Sequence, residues 1–118
     1  MAPRKEINMI YRLESEARKK HSEEFSLLDR ENHMQYPNAK FVIATYFPQF
    51  MSDNEYELSV FFDIGKPEKY LWTTVPIIID DLSDPYIDEY YEVSKKEALK
   101  LMNNILKDNS SDEEIMSF

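Results

Sequence analysis

The chain has 118 residues, of which 42% are hydrophobic and 14% aromatic, and its formal net charge is −9. This length suits one domain, and the apolar content excludes a disordered chain, which could not bury enough surface to offset the entropy of ordering. The chain has no cysteine and a single glycine. Disulfide scaffolds, thiolate metal sites, cysteine nucleophiles and glycine-rich phosphate loops are therefore excluded.

The N-terminal segment, residues 4–31, predicts one long helix or two helices in succession. Apolar residues recur at helical spacing from Ile7 to Leu28 and form a narrow seam. Basic residues crowd the middle of this seam around Lys19. We therefore expect the segment to pack on a sheet, to pair with a partner helix, or to break near Ser22.

The next three segments predict the strands of an antiparallel meander. Residues 41–47 are rich in β-branched and aromatic side chains, and residues 55–64 alternate between apolar and polar positions. A loop around Gly65 leads into a third strand, residues 69–75. Pro76 is expected to end that strand, to lie at an edge or to form a bulge, because proline cannot donate a hydrogen bond to a sheet.

A helix is predicted near the C-terminus. Ser94 and Glu97 form a capping box, and a broad apolar stripe follows from Ala98 to Leu106. The predicted fold is therefore α+β, with an N-terminal helix or two, a three-stranded antiparallel meander and a C-terminal helix packed on the sheet, in the order α-β-β-β-α. We predict a single domain over residues 1–108 and a flexible acidic tail over residues 109–118.

The negative charge is concentrated in the middle of the chain. Residues 52–92 hold eleven acidic and two basic side chains, and residues 80–92 hold six carboxylates and no basic residue. Like charges this close repel one another unless something cationic meets them, and the interleaved tyrosines suit a binding surface. We predict a partner-binding surface from this segment, flanked by acidic residues of the second predicted strand: Asp80, Asp81, Asp84, Asp88, Glu89, Tyr90 and Glu92, with Glu55, Glu57 and Asp63.

The function expected from these features is that of a non-enzymatic protein-binding module. We expect an acidic inhibitor that occupies the basic nucleic-acid-binding surface of a partner protein. In charge and size, though not in any motif, the chain resembles phage-type inhibitors of restriction or CRISPR nucleases. No catalytic residue, metal or cofactor is expected, because no local motif singles one out and His21 and His33 are too few for a histidine-rich metal site.

Other interpretations of the same residues stay open. The acidic segment could be a solvated loop that only keeps the protein soluble. The seam from Ile7 to Leu28 could be the contact surface of an adaptor or assembly protein. The basic run at Arg18, Lys19 and Lys20 could meet the acidic segment of a second copy, so a homodimer is one expected partner arrangement.

A short motif at the start of the last helix resembles double-stranded-RNA-binding domains. The motif is Ser94-Lys95-Lys96-Glu97-Ala98, placed after three predicted strands and an earlier helix. The resemblance implies that the two lysines contact phosphates. The six carboxylates of residues 80–92 would repel a phosphate backbone, so direct nucleic-acid binding is not expected.

The location of the protein is predicted from its N-terminus and its apolar runs. The first residues are polar and charged, without the apolar region of a signal peptide. The longest apolar run, residues 75–79, is far below the ~20 residues that span a bilayer. We therefore predict a cytoplasmic protein that does not enter a membrane, and the absence of cysteine agrees with a reducing compartment.

Overall fold

The computed structural model describes residues 9–49 and 54–118. In these ranges the fold is α+β, but the predicted three-stranded meander and the order α-β-β-β-α are wrong, because five strands and three helices are present. All five strands belong to one antiparallel sheet, in the spatial order β1-β2-β3-β4-β5. The elements are β1 Met9–Tyr11, α1 Glu14–Lys20, α2 Ser22–Gln35, β2 Lys40–Pro48, β3 Glu55–Asp63, β4 Lys69–Ile78, β5 Glu89–Ser94 and α3 Lys95–Asp108.

The first additional strand, β1, lies inside the segment predicted as helix. Ile10 is paired with Thr45, and Tyr11 with Ala44, at the outer side of β2. Three residues are too few to show a strand period, so only this long-range pairing identifies them as a strand. The helical part that follows is divided at His21, next to the predicted break, and residues 4–8 of the prediction lie outside the described residues.

The second additional strand, β5, begins inside the acidic segment, residues 80–92, and extends to Ser94. Its third residue, Tyr91, is paired with Trp72 of β4, and the two rings meet edge to face with centroids 5.4 Å apart. Val93 is paired with Tyr70 on the same side of the sheet. These cross-strand aromatic and β-branched pairs stabilise a strand in spite of the carboxylates around them.

The proline in β4 does not end the strand, which continues to Ile78. The Ile79 N–H donates to the Asn54 carbonyl at 2.8 Å, in the same register as the β3–β4 pairs. Odd-numbered residues of β4 therefore bond to β3, and the nitrogen of Pro76 faces the side where β5 would lie. The last pair with β5 is at Thr74, so the missing N–H costs no ladder bond.

The sheet buries apolar side chains on both of its faces. On the first face, Phe25 and Leu28 of α2 pack against Leu58, Val60 and neighbouring side chains of the sheet in one core. On the second face, α3 forms a separate core around Phe61 of β3. The strict alternation predicted for residues 55–64 is present, but both of its faces are covered, so the sheet is the middle of three layers.

The segment that follows α3 contributes to the second core. Ile115 is 3% exposed, and its backbone N–H and carbonyl bond to the side-chain amide of Asn103 at 2.7 and 2.8 Å. The ring of Phe118 lies 5.7 Å from that of Phe61. The division of the chain at residue 109 stays a prediction, but these two apolar side chains pack on the sheet.

The C-terminal helix begins where the capping box predicts. The Ser94 hydroxyl oxygen accepts a hydrogen bond from the Glu97 N–H at 3.0 Å. None of the helices in residues 9–49 and 54–118 has both the length and the apolar character needed to cross a membrane. The cytoplasmic location stays a prediction.

A buried histidine joins α1 to α2. His21 is 8% exposed, its Nε2 lies 3.2 Å from the Tyr11 hydroxyl, and its ring packs on that of Tyr46 with centroids 4.6 Å apart. Burial, with a smaller contribution from the charge of Lys20, lowers the pKa of His21 to about 4. The imidazole is therefore neutral in the folded protein near neutral pH.

This histidine should make the fold sensitive to mild acid. The unfolded chain binds the proton more tightly than the folded protein, so the free energy of unfolding should fall as the pH drops from about 6.5 to about 4. We expect His21→Gln, which keeps an acceptor for Tyr11, to remove this part of the pH dependence. Urea unfolding of both proteins across this pH range checks it, and parallel curves would contradict it.

A second prediction concerns a buried hydroxyl without a partner among the described residues. Thr45 is 1% exposed, and its Oγ1 has no hydrogen-bond partner in residues 9–49 and 54–118. An unpaired buried hydroxyl costs about 1–3 kcal/mol, so we expect Thr45→Val to raise the free energy of unfolding by about 1 kcal/mol. The matched control is Thr73→Val, because the Thr73 hydroxyl donates to the Val60 carbonyl at 3.0 Å. Urea unfolding should show a loss for the control, and a loss at both positions would contradict the prediction.

Candidate protein-binding surface

One end of the sheet collects most of the predicted acidic residues. In an antiparallel sheet the start of β3, the end of β4 and the start of β5 lie at the same end. The loop between β4 and β5 extends from this end, and the N-terminus of α2 lies beside it. We call this region the acidic end, with the carboxylates Glu23, Glu24, Glu55, Glu57, Asp80, Asp81, Asp84, Asp88 and Glu89.

The electrostatic repulsion within the acidic end is visible at Glu57. Burial raises the pKa of its carboxyl group, and the nearby charges of Asp88 and Glu89 raise it further, against a hydrogen bond with Gln49 that lowers it. The structure therefore brings residues of two predicted groups together, one from β3 and one from the start of β5.

A cleft of about 220 Å³ lies between the N-terminus of α2 and the loop that follows β4. Its acidic lining is Glu23 and Glu24 from the helix and Asp81 and Asp84 from the loop, and its apolar lining includes Ile77. Burial, followed by the charge of Glu23, raises the pKa of Glu24. Sequence reasoning missed the two glutamates, because a charged first turn of a helix is common and only the packing of α2 places them here.

Two of the predicted aspartates shape the loop itself. Asp80 has a left-handed backbone with φ of 71°, which aspartate tolerates better than most residues. Asp81 accepts a hydrogen bond from the Ser83 N–H at 2.8 Å, and this bond lowers the pKa of its carboxyl group. Both side chains are exposed, so their local roles leave them accessible to a partner.

Two predicted binding residues of the acidic segment, Tyr90 and Glu92, face the first core instead. Tyr90 donates to Asn32 Oδ1 at 2.6 Å, and burial raises the pKa of its hydroxyl to about 12. Glu92 accepts from Lys66 Nζ at 2.9 Å and from the Tyr36 hydroxyl at 2.8 Å. These bonds lower the pKa of Glu92 and hold β5 against α2 and the β3–β4 hairpin.

Asp63 lies at the opposite end of the sheet. At about 3.3 Å per residue, the nine-residue strand β3 places it roughly 26 Å from Glu55. Its carboxylate accepts from the Gly65 N–H at 2.8 Å in a hairpin where Gly65 has φ of 83°, a conformation that favours glycine. The ten predicted residues therefore do not form one continuous surface.

The aspartates of the loop and the acids that begin β5 have no basic partner within the described residues. In those ranges no lysine or arginine lies within 4.0 Å of Asp80, Asp81, Asp84, Asp88 or Glu89. The described ion pairs lie elsewhere, as Arg12–Glu113, Arg18–Glu14, Arg18–Asp29 and Lys66–Glu92. The charge of these five carboxylates is therefore left for solvent or a partner to screen.

These carboxylates are also not arranged around a metal. No group of three or more acidic or histidine side chains in the part of the chain that the structure describes has the spacing to hold an ion. The cleft is open and holds carboxylates from two elements rather than converging oxygen ligands.

Lysines gather at the other end of the sheet. The Lys95 N–H donates to the Glu68 carbonyl at 2.9 Å, which places the start of α3 beside the β3–β4 hairpin. Lys40 of β2 lies opposite Asp63 of β3 in the strand register, at the same end. We call this region the lysine end, with the cations Lys40, Lys66, Lys69, Lys95 and Lys96. The protein is thus electrically polar along its strands.

Comparison with known proteins leaves the function to be argued from this geometry. The chain matches no protein-family model, no curated protein and no solved structure.

The raised pKa of Glu57, caused first by burial and further by the charges of Asp88 and Glu89, gives a test of the environment of this carboxyl group. The folded protein binds the Glu57 proton more tightly than the unfolded chain, so its stabilising contribution is present below about pH 4.5 and is lost as the pH rises through the folded pKa. We expect Glu57→Gln to raise the free energy of unfolding at pH 7 and to leave it nearly unchanged in acid. Urea unfolding at both pH values checks this, with exposed Glu114→Gln as the control, and equal effects of the two variants would contradict it.

Proposed function

We propose that the protein is a non-enzymatic binding module whose acidic end docks onto a basic surface of a partner protein. The observation that supports this most is the set of accessible carboxylates in the loop and at the start of β5 without a basic partner in the described residues. Cationic groups of a partner would offset the repulsion that raises the pKa of Glu57.

Exposed apolar side chains beside these charges support a protein partner rather than a free ion. In the loop after β4, Tyr86 is 56% exposed and Leu82 is 99% exposed. Tyrosine offers contact area at low cost in conformational entropy, and a lysine or arginine stem can lie along the apolar lining of the cleft while its charge meets the carboxylates. The surface thus combines charge with contact area.

The acidic end is favoured over the helix seam as the binding surface. Ala17, Phe25 and Leu28, which belong to the described part of the seam, are at most 1% exposed and pack in the first core of the same chain. Leu13 of the seam is 59% exposed, but the side chains that α1 and α2 bury in the first core are not available to a partner.

The finer part of the proposal is that the partner handles nucleic acid. Carboxylates held at the ends of a rigid sheet can occupy cationic positions on the partner that otherwise bind phosphates. Such a protein would inhibit by competition. The resemblance to double-stranded-RNA-binding domains gives no rival proposal, because an additional strand, β5, separates the predicted meander from the last helix.

The proposal predicts that loss of three charges at the acidic end weakens binding strongly. We expect Asp80→Asn, Asp84→Asn and Asp88→Asn together to weaken binding to basic DNA- and RNA-binding proteins by at least about tenfold. Asparagine keeps the left-handed preference needed at residue 80. Affinities for a purified panel of such proteins, with a deca-lysine peptide as a probe of charge alone, measure this.

The matched control removes three charges from the lysine end, as Asp63→Asn, Glu68→Gln and Glu97→Gln, and should bind like the wild type. Binding should also fall steeply between about 0.05 M and about 0.5 M salt, and duplex DNA should compete for the partner. Equal losses in both triple variants would overturn the acidic end as the binding surface. Binding that DNA does not compete with would overturn only the nucleic-acid-handling partner.

A further inference from the structure

The two edges of the sheet differ in what they expose. At one edge lies β1, which has three residues, and at the other lies β5, which has six. In the described ranges no strand lies beyond β5. An edge strand presents a row of free backbone donors and acceptors that another strand can pair with, and β5 contains no proline or lysine to prevent it.

The register identifies which backbone groups of β5 are free. The Lys95 N–H bond to the Glu68 carbonyl continues the β4–β5 register, so Val93 and Tyr91 direct their backbone groups toward β4. Hydrogen bonding alternates along an antiparallel strand, so the N–H and C=O groups of Tyr90 and Glu92 point away from the sheet. Their side chains are anchored to the first face, which holds the strand straight for pairing.

We propose that two copies of the chain pair β5 with β5 in antiparallel fashion, about a two-fold axis at Tyr91. The two five-stranded sheets then join into one continuous sheet. The inference goes beyond the proposed function and rests on the strand edge and the charges beside it, not on the binding of a basic partner.

The charges of β5 select the register of this pairing. Outward-facing backbone groups must meet outward-facing groups, and Tyr90 and Glu92 both find partners within residues 88–94 only when the two-fold axis lies at Tyr90, at Tyr91 or at Glu92. An axis at Tyr90 sets Asp88 opposite Glu92 of the second copy, and an axis at Glu92 sets that carboxylate opposite itself. Like charges directly opposite destabilise a pair of strands. Only the axis at Tyr91 avoids this, since it sets Asp88 opposite Ser94.

The ends of the paired strands are complementary in charge. Antiparallel pairing brings the acidic start of β5, Asp88 and Glu89, beside the second copy's Lys95 and Lys96, which follow Ser94 directly. The two-fold axis makes this contact twice. Asp88 and Glu89, which have no basic partner within the described chain, thus meet lysines of the other copy. The carboxylates of the two loops stay exposed at the ends of the dimer.

The aromatic side chains on the second face also continue across the axis. The ring of Trp72 stacks on Phe61 with centroids 6.5 Å apart and meets Tyr91 edge to face. Tyr91 ends this row and is 48% exposed in the single chain. In the dimer the two Tyr91 side chains are direct cross-strand neighbours. The aromatic row of one copy then continues into that of the other, and neither row ends in an exposed tyrosine.

Cysteine cross-linking tests this arrangement, because the natural chain has no cysteine. The two residues at position 91 form a non-hydrogen-bonded pair with Cα atoms about 4.5 Å apart, within the range of a disulfide. We expect Tyr91→Cys to convert most of the protein into a covalent dimer under mild oxidant. Leu82→Cys, at a position that is 99% exposed and so more accessible than Tyr91, should stay monomeric on denaturing gels. Equal cross-linking at both positions, or none at position 91, would overturn the proposal.

Two further measurements of dimer formation need no cysteine. One uses the wild-type chain and the other uses a pair of charge-reversal variants. Sedimentation equilibrium should show a dimer for the wild type. Asp88→Lys and Lys96→Glu should each weaken it at least about tenfold, and an equimolar mixture of the two variants should recover a dimer. A wild type that is monomeric at every concentration overturns the proposal. If that monomer instead binds an alternating lysine–valine octapeptide, the edge serves a foreign basic strand.

Discussion

The structure depends on the burial of both faces of the central strand. Val60 and Phe61 are neighbours in β3, point to opposite faces and are both fully buried. A strand of this kind needs a layer on each side, so α1 and α2 must lie on one face and α3 on the other. With both faces covered, charged groups can reach water only on the outer surfaces of the helices, at the strand ends or at the edges.

This constraint explains why the charge separates along the strands. Carboxylates at the start of β3, the end of β4 and the start of β5 share one end because antiparallel strands alternate in direction. Lysines of the β3–β4 hairpin and of α3 share the other. The fold tolerates repulsion at Glu57 because the two cores supply the stability, and the same repulsion leaves the acidic end suited to meet cations.

The edge strand links these two ends. Its side chains divide between the faces, with Tyr90 and Glu92 bonded to the first and Tyr91 and Val93 lying on the second. This six-residue strand begins at the acidic end and finishes at the lysine end, so it extends from one charged end of the molecule to the other. Docking of a basic protein and pairing with a second copy thus use overlapping surfaces, because Asp88 and Glu89 belong to both, whereas the loop aspartates belong to the docking surface alone.

The sequence by itself determined the elements whose signals are local. The alternation of residues 55–64 and the capping box at Ser94 each depend on side chains within one strand or one turn, where propensity and periodicity act. The break near Ser22 was one of three alternatives that the sequence left open. The acidic residues of the loop were also visible, since composition alone shows their excess.

Only the tertiary structure decided which distant segments pair and where the charges meet. The strands β1 and β5 are stabilised by Ala44 and Trp72, which no local pattern connects with Tyr11 or Tyr91. The same long-range pairing turned Glu92 toward the first core and brought the start of β5 beside the start of β3. Strand pairing and packing act between residues far apart in the chain, and the local patterns of one sequence do not identify which distant residues come into contact.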